Sequence, residues 1–381
     1  MPVPLAPLTA LRKGVRAFAA RSIAPLAEEI DRSDRLPSEV FSALAGEGLT
    51  GLGIPPEWGG IGGGTRALSV VLEEISRVSP TVGTDLSVHL SVCAAPIHRW
   101  GNDAQRARWL RPLASGEILG AFALSEPGVG SDAAHLATRY ERTENGVRIT
   151  GSKMFITNGR SAGVVLAFAT IDPARGSHGI SAFLVPRGTP GFSVGQPLDK
   201  LGLRGSETNE LVFDRAELPE DALLGPEGEG LSIALGALVG GRIGIASCAL
   251  GVARAGFDQL RAAVARNPDD DRRARLARAW ADLSSARALI EKAAEAKDAG
   301  RPYELAASTA KLVAARVAES IAHEAVEVIG PPATLRGHPA ERILRDARVF
   351  PIVEGTTEIQ ERIVGKMLSD GRTGEDDSDD A

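Results

Sequence analysis

The chain has few cysteines, few aromatics, no patterned histidines and no excess of base. Two cysteines in 381 residues, Cys93 and Cys248, exclude a disulfide framework and a thiolate metal centre. Both sit in apolar, alanine-rich stretches, the setting of a buried free thiol, and fit a reducing cytoplasm. His89, His98, His135, His178, His323 and His338 share no ligand spacing, so neither a metal nor a catalytic histidine is expected. Aromatics make up 4% of the chain, which leaves the helical core to alanine and the aliphatics. No apolar run is read as a membrane span. Met1–Pro7 lacks a basic region followed by an apolar one, so no secretion signal is expected. The formal net charge is −6. Residues 370–381 hold six acids and one base, so −5 of it lies in a tail expected to be disordered. The body, near −1, excludes a nucleic-acid surface.

What is present is ordinary globular composition, 43% hydrophobic and 24% charged, in a chain long enough for two or three domains. Residues 5 to about 118 carry helical periodicity, with Leu8, Leu11, Val15, Phe18 and Ala19 as the first stripe. The Gly/Pro-rich stretch 51–64 is a loop; a phosphate-cradling role is open, but the Gly-Lys-Ser/Thr ending is missing. The pattern then changes to short runs, Leu119–Leu124, Arg148–Ile149, Val164–Thr170, Ser181–Pro186, Phe192–Val194 and Glu210–Phe213, parted by Gly-containing turns. These predict a small β-sandwich or barrel over 119–225. Helical periodicity resumes over 226–369, in segments near 231–266, 272–299, 303–329 and 340–349, with a final helix after them. Strands confined to one central block argue for an α+β fold and against a parallel Rossmann sheet.

One acid stands out. In Val349-Phe-Pro-Ile-Val-Glu-Gly-Thr-Thr-Glu-Ile-Gln360, Pro351 breaks any continuous helix. Thr357 and Gln360 have capping-box spacing, so a helix starts near Thr357. Glu354 then lies on a connection beside Ile352 and Val353. Desolvation there raises a carboxyl pKa toward the range of a general base; the alternative is a solvated loop acid. Two further stretches offer hydroxyls on turns. Ala121-Phe-Ala-Leu-Ser-Glu-Pro-Gly-Val-Gly-Ser-Asp132 ends the first strand and exposes backbone amides suited to a polar ring and a phosphate chain. Gly151-Ser-Lys-Met-Phe-Ile-Thr-Asn-Gly159 sets Phe155 near Thr157. Each also reads as a plain turn between strands.

Together with Lys200-Leu-Gly-Leu-Arg-Gly-Ser206, Leu223-Leu-Gly-Pro-Glu-Gly-Glu-Gly230 and Arg345-Asp-Ala-Arg348, these stretches resemble the acyl-CoA dehydrogenase flavoproteins over roughly residues 10–369. The resemblance implies an N-terminal helical domain (1–118), a middle β domain (119–225) and a C-terminal four-helix domain (226–369), with FAD between the last two. It assigns Phe122, Leu124, Ser125, Gly130 and Ser131 to the flavin and its ribityl-phosphate chain. Phe155 is implied to pack on the ring, Ile156 to lie beside it, and Thr157 to bond it near N5. Thr356, Thr357 and Glu358 are implied as further flavin contacts. Glu354 matches the base that removes the α-proton of an acyl thioester while the β-hydrogen leaves as hydride. Some relatives carry the base on the long helix just before an arginine; here Gly241 precedes Arg242, so Glu354 is the acid the pattern allows. Ser131, Arg242, Val353 and Gly355 are implied on the substrate side.

Three departures accompany the match. Of the run that holds the ADP half of FAD across a subunit interface, only Arg261 stands in Arg261-Ala-Ala-Val-Ala265, and Glu327-Val-Ile-Gly-Pro331 replaces a glutamine- and glycine-bearing motif. Val353 stands where many relatives have tyrosine, which leaves room for a bulkier or branched acyl group. The implied activity is FAD-dependent α,β-dehydrogenation of an acyl-CoA, with an electron-transfer flavoprotein as acceptor, in a cytoplasmic homodimer or homotetramer. An acyl carrier protein thioester as substrate, a flavin oxidase, and a non-catalytic subunit with a weakened FAD site are the alternatives.

Overall fold

A computed structural model describes Leu5 and residues 7–372. Seven helices come first: α1 Leu8–Ser22, α2 Ala27–Ser33, α3 Ser38–Gly46, α4 Thr65–Ser76, α5 Pro80–Ser87, α6 Ala95–Trp100 and α7 Asp103–Ala114. A π-helical stretch, Val88–Ala94, joins α5 to α6 without a break. Helix α1 buries Leu11, Val15, Phe18 and Ala19 of the stripe its spacing predicts, with Leu8 half-buried at its start. Asn102 and Gln105 form a reciprocal cap on α7, each side chain accepting from the other's amide at 2.9–3.0 Å. The loop 51–64 spends its amides on itself: Gly53 donates to Gly62, Gly62 to Ile54, and Ile61 to Gly51. This is why it is a structural loop and not a phosphate cradle. Gly60 faces the Ile54 carbonyl so closely that no Cβ fits there.

Eight strands follow: β1 Leu119–Ala123, β2 Arg139–Thr143, β3 Gly146–Thr157, β4 Ala162–Thr170, β5 Ile180–Pro186, β6 Phe192–Pro197, β7 Thr208–Pro219 and β8 Leu223–Leu224. They form one mixed network in the order β6-β7-β3-β2-β4-β5-β8, with β1 parallel to β4. Strand β2 meets β4 through the single pair Arg139–Thr170. The two halves face each other across one core, where Val165 and Ala167 of β4 meet Ile149 of β3 and Phe213 of β7. On the other face of β4, Val164, Leu166 and Phe168 pack against Ile97, Leu110 and Ile233 of the helices. Covered on both faces, β4 reads as an unbroken apolar run. Two strands were not expected from the sequence: Arg-Tyr-Glu-Arg-Thr of β2 turns only Tyr140 inward, and β8 is two residues long.

The last block holds three long helices, α8 Gly230–Arg266, α9 Asp270–Asp298 and α10 Glu304–Ile329, and two short ones, α11 Pro339–Ala347 and α12 Thr357–Ser369, which pack on α10. Helix α8 has a window long and apolar enough to cross a membrane, yet 78% of that window is buried inside the fold, so it is a core helix. Asp298 at the end of α9 caps α4, accepting from the amides of Thr65 and Arg66 at 2.6 and 3.0 Å. At the end of the chain, residues 370–372 close α12, and Arg372 lies 3.7 Å from Glu304. The rest of the expected acidic tail lies outside the described residues.

Candidate active site

Between α11 and α12 the chain folds into a closed loop. The amides of Ile352 and Val353 donate to the Val349 carbonyl, and the Thr357 amide donates to Pro351 O at 2.8 Å. Glu354 and Gly355 both take left-handed backbone angles, φ 52° and 98°. For a glutamate this costs roughly 1 kcal/mol, and it turns the side chain back onto α8. There the carboxylate sits over Gly241. A Cβ at residue 241 would collide with Glu354 Oε2 and with Val92 Cγ1, so the missing side chain is what makes the space. Both carboxylate oxygens are buried and have no hydrogen-bond partner. Burial raises the Glu354 pKa to about 7, against the opposing pull of Lys311 and Arg242. Among the described residues the Glu354 amide donates to no backbone carbonyl, so a free donor lies beside the free base.

The expected capping box shifts by one residue. Thr356, not Thr357, is the N-cap, its Oγ1 accepting from the Ile359 amide at 3.4 Å. Thr357 is already helical, because its amide and hydroxyl are both committed to Pro351 O. The Gln360 side chain donates instead to Gly355 O at 3.2 Å.

Two cations flank the acid. Arg242, on α8 next to Gly241, is buried; its Nη1 donates to Ser308 Oγ at 3.0 Å, and its Nε is unpaired. Desolvation lowers its pKa, while Glu304 and Glu354 act the other way. Lys311 of α10 was not expected from the sequence. It is 1% exposed and donates to Gly355 O at 2.6 Å and to Pro351 O at 3.4 Å. Its signal was present in the periodicity: Ala307, Ala310, Ala314 and Ala318 form the buried stripe of α10, and Lys311 falls on it.

The loop after β1 is held from beneath. Glu126 and Val129 exchange backbone hydrogen bonds at 2.8 and 3.1 Å, and this turn lifts Gly128 and Gly130, whose missing side chains face open space. The Glu126 carboxylate points inward, accepts from the amides of Ala137 and Thr138, and meets Lys153 Nζ at 2.8 Å. Lys153 also donates to Leu124 O, and the Met154 amide donates to Ser125 O at 2.9 Å. Ser125 is half-buried, and Ser131 is exposed at the loop's open side. Phe155 has φ 63° and its ring is 64% exposed, an unusual state for a phenylalanine on a strand. Thr157 follows on β3, half-buried. Phe122 packs edge-on against Phe168 at 5.2 Å and touches the cluster of Val88, Val92 and Ala237. Val92 also borders Gly241, so one valine links the β1 side to the Glu354 side.

Other expected residues lie apart. The side chains of Leu124 and Ile156 are buried in the core, so each can meet a ligand only through its backbone. Arg261 is on the exposed side of α8, beside Asp258, about 28 Å along the helix from Arg242. Glu358 is exposed at the start of α12; Val353 is half-buried, against the helical core. His89 is a satisfied core residue, accepting the Gly120 amide at Nδ1 and bonded through Nε2 to Thr50 O. No metal-ligating cluster occurs among the described residues. A cavity of about 330 Å³ bordered by Arg77, Asp258 and Asp346 includes neither Glu354 nor the β1 loop, so the chemistry is assigned by the carboxylate and not by hollow size. A flavin fits the residues present: an uncovered aromatic face at Phe155, an open glycine turn, and an unpartnered buried carboxylate.

Three family profiles match consecutive parts of the chain: acyl-CoA dehydrogenase N-terminal domain at residues 8–117, middle domain at 121–216 and C-terminal domain at 228–369. An acyl-CoA dehydrogenase of Bacillus subtilis (strain 168) is 42% identical over 369 residues, 95% of this chain and 97% of that one. The structure of butyryl-CoA dehydrogenase from Megasphaera elsdenii superposes with a TM-score of 0.92 at 35% identity, covering 95% and 98% of the two chains. A chain in a structure described as the electron transferring flavoprotein of Acidaminococcus fermentans, on flavin-based electron bifurcation, gives a TM-score of 0.93 at 34% identity, covering 95% and 97%.

Proposed function

This chain belongs to the acyl-CoA dehydrogenase family, and on that premise we propose that Glu354 is the base of an FAD-dependent acyl-CoA dehydrogenation. The observation that carries the reading is the unpaired carboxylate buried over Gly241. FAD, when bound, supplies the acceptor for the β-hydrogen. Phe155, Thr157, Ser125, Ser131 and the backbone around Gly130 would hold it, together with Thr356 and Thr357.

Glu354 takes the α-proton. Its solvation is poor and its pKa sits near neutrality, so it is a stronger base than a carboxylate in water. The acidity of the α-carbon rises as negative charge moves to the thioester oxygen. The free amide of Glu354 is the donor we assign to that oxygen. Val92, which borders the same space over Gly241, leaves little room for water beside the carboxylate.

The substrate we assign is a short acyl-CoA, supported by the likeness to a butyryl-CoA dehydrogenase. A branched acyl group is a second candidate, on the ground that Val353, next to the base in the chain, stands where many relatives have tyrosine. An electron-transfer flavoprotein is the acceptor we assign, supported by the likeness to the Acidaminococcus fermentans chain. We place the enzyme in the cytoplasm as a homodimer or homotetramer, with domain divisions at 118/119 and 225/226.

The test is spectroscopic. Purified protein should be yellow and should bleach anaerobically with butyryl-CoA; protein that stays colourless when FAD is added would sink the reading. Glu354→Gln should keep the colour and lose the bleaching, and retained bleaching would mean another base.

A further inference from the structure

Lys311 lies at the closure of the Glu354 loop, and nothing in the chemistry above uses it. Its ammonium is nearly inaccessible, at 1% exposure. It donates to Gly355 O at 2.6 Å and to Pro351 O at 3.4 Å. These carbonyls stand on either side of the strained residue: Pro351 precedes the turn and Gly355 follows it. Both are also used within the loop, Pro351 O by the Thr357 amide and Gly355 O by the Gln360 side chain. The ammonium therefore adds, from a neighbouring helix, a link between two carbonyls of a loop that the Thr357 amide closes.

We infer that Lys311 is a positioning residue for the dehydrogenation: by fixing the carbonyls of Pro351 and Gly355 it holds the left-handed turn that aims Glu354 at its site over Gly241. This rests on the reading of Glu354 as the base. A lysine suits the task because a single ammonium has three donors and can serve two carbonyls from a neighbouring helix. The geometry also gives it an electrostatic effect. Among the charged groups facing Glu354, Lys311 comes from α10 and Arg242 from α8; the groups facing Lys311 are Glu354, Arg242 and Glu358. The Lys311 charge opposes the burial that would otherwise keep Glu354 protonated, so it preserves the base as well as its direction.

The test separates charge from hydrogen bonding. Lys311→Gln keeps donors for the carbonyls and removes the charge; Lys311→Met removes both; Lys311→Arg restores the charge. The carboxyl carbon of Glu354 is followed by NMR in protein carrying ¹³C-glutamate, assigned by its loss in Glu354→Gln, beside the acid limb of kcat/KM for butyryl-CoA. Both neutral variants should move the Glu354 midpoint up by about one unit or more, and Lys311→Arg should return it toward wild type. Lys311→Met should also lower kcat at least tenfold at a pH above the new midpoint, with FAD content unchanged. A purely structural lysine would change thermal stability and leave the midpoint alone. Unchanged kcat in Lys311→Met above its midpoint overturns the positioning role, and an unmoved midpoint in Lys311→Gln overturns the electrostatic one; if Lys311→Met does not fold, the kcat of Lys311→Ala is read in its place. If Glu354→Gln stays active, the base assignment fails separately, and the NMR midpoint still decides whether Lys311 governs this carboxylate.

Discussion

Lys153 Nζ lies 2.8 Å from Glu126 Oε1, and both side chains are closed off from solvent. The pair ties β3 to the loop that follows β1. It sits below Leu124 and Ser125, supporting their backbone from β3. Burial lowers the Lys153 pKa to about 8, and the lysine in turn helps hold Glu126 below its usual range against burial.

Removing one partner of this pair leaves the other buried and uncompensated. Lys153→Met should destabilise the protein by about 3–5 kcal/mol, and it should weaken FAD retention more than substrate affinity. Thermal unfolding of the FAD-depleted protein, with a fluorescence titration of FAD, checks both. Unchanged FAD affinity would mean that the loop holds its shape without the pair.

Gly241→Ala places a methyl where Glu354 Oε2 and Val92 now lie. The carboxylate must move by about the size of that methyl, and misplacement on the order of 1 Å lowers rates by ~10²-fold. The expected outcome is a yellow protein with normal FAD content and a kcat reduced by about that factor, measured with butyryl-CoA and an artificial acceptor.

The pH dependence follows from burial. Glu354 must be ionised to act, so kcat/KM should fall with decreasing pH along a one-proton limb centred near 7. The stability effect runs the other way. A carboxyl whose folded pKa is raised binds its proton more tightly in the folded state, so between the unfolded value of 4.5 and about 7 the protein loses stability as pH rises. Above pH 7 the loss is complete, on the order of 3 kcal/mol. Glu354→Gln should therefore be more stable than wild type at pH 8 and close to it at pH 4.5. Denaturant unfolding at the two pH values checks this.

Val353→Tyr tests whether this position borders the acyl group. We expect it to reduce kcat/KM for isobutyryl-CoA roughly tenfold more than for butyryl-CoA, since one or two methyl groups in an apolar pocket are worth 1–3 kcal/mol. Equal losses for both substrates would place the branch elsewhere.

Much of the architecture was legible because helices and strands write their period into the chain. The stripe of α1 and the apolar run of β4 needed no partner to be recognised. What was not legible depended on contacts distant in sequence. Glu126 and Lys153 are 27 residues apart, and each alone reads as a polar residue in a turn motif. Lys311 lies on the buried stripe of α10, but the carbonyls it serves, Pro351 and Gly355, are 40 and 44 residues away. The cap at Thr356 was missed because Pro351 O, six residues before Thr357, competes for Thr357. The direction of Ile156, into the core, is set by irregular pairing of β3 with β7 between Lys153 and Ile156, which alternation does not anticipate.

The bare face of α8 at Gly241 carries one further meaning. The volume above it holds a single carboxylate, and it can be entered from two directions: from the loop, as Glu354 enters it, or from the helix itself. A longer side chain at 241 and a glutamate at 354 would compete for the same space, so the two positions are mutually exclusive addresses for one acid. The bare backbone at Gly241 thus reserves the space that the Glu354 carboxylate occupies.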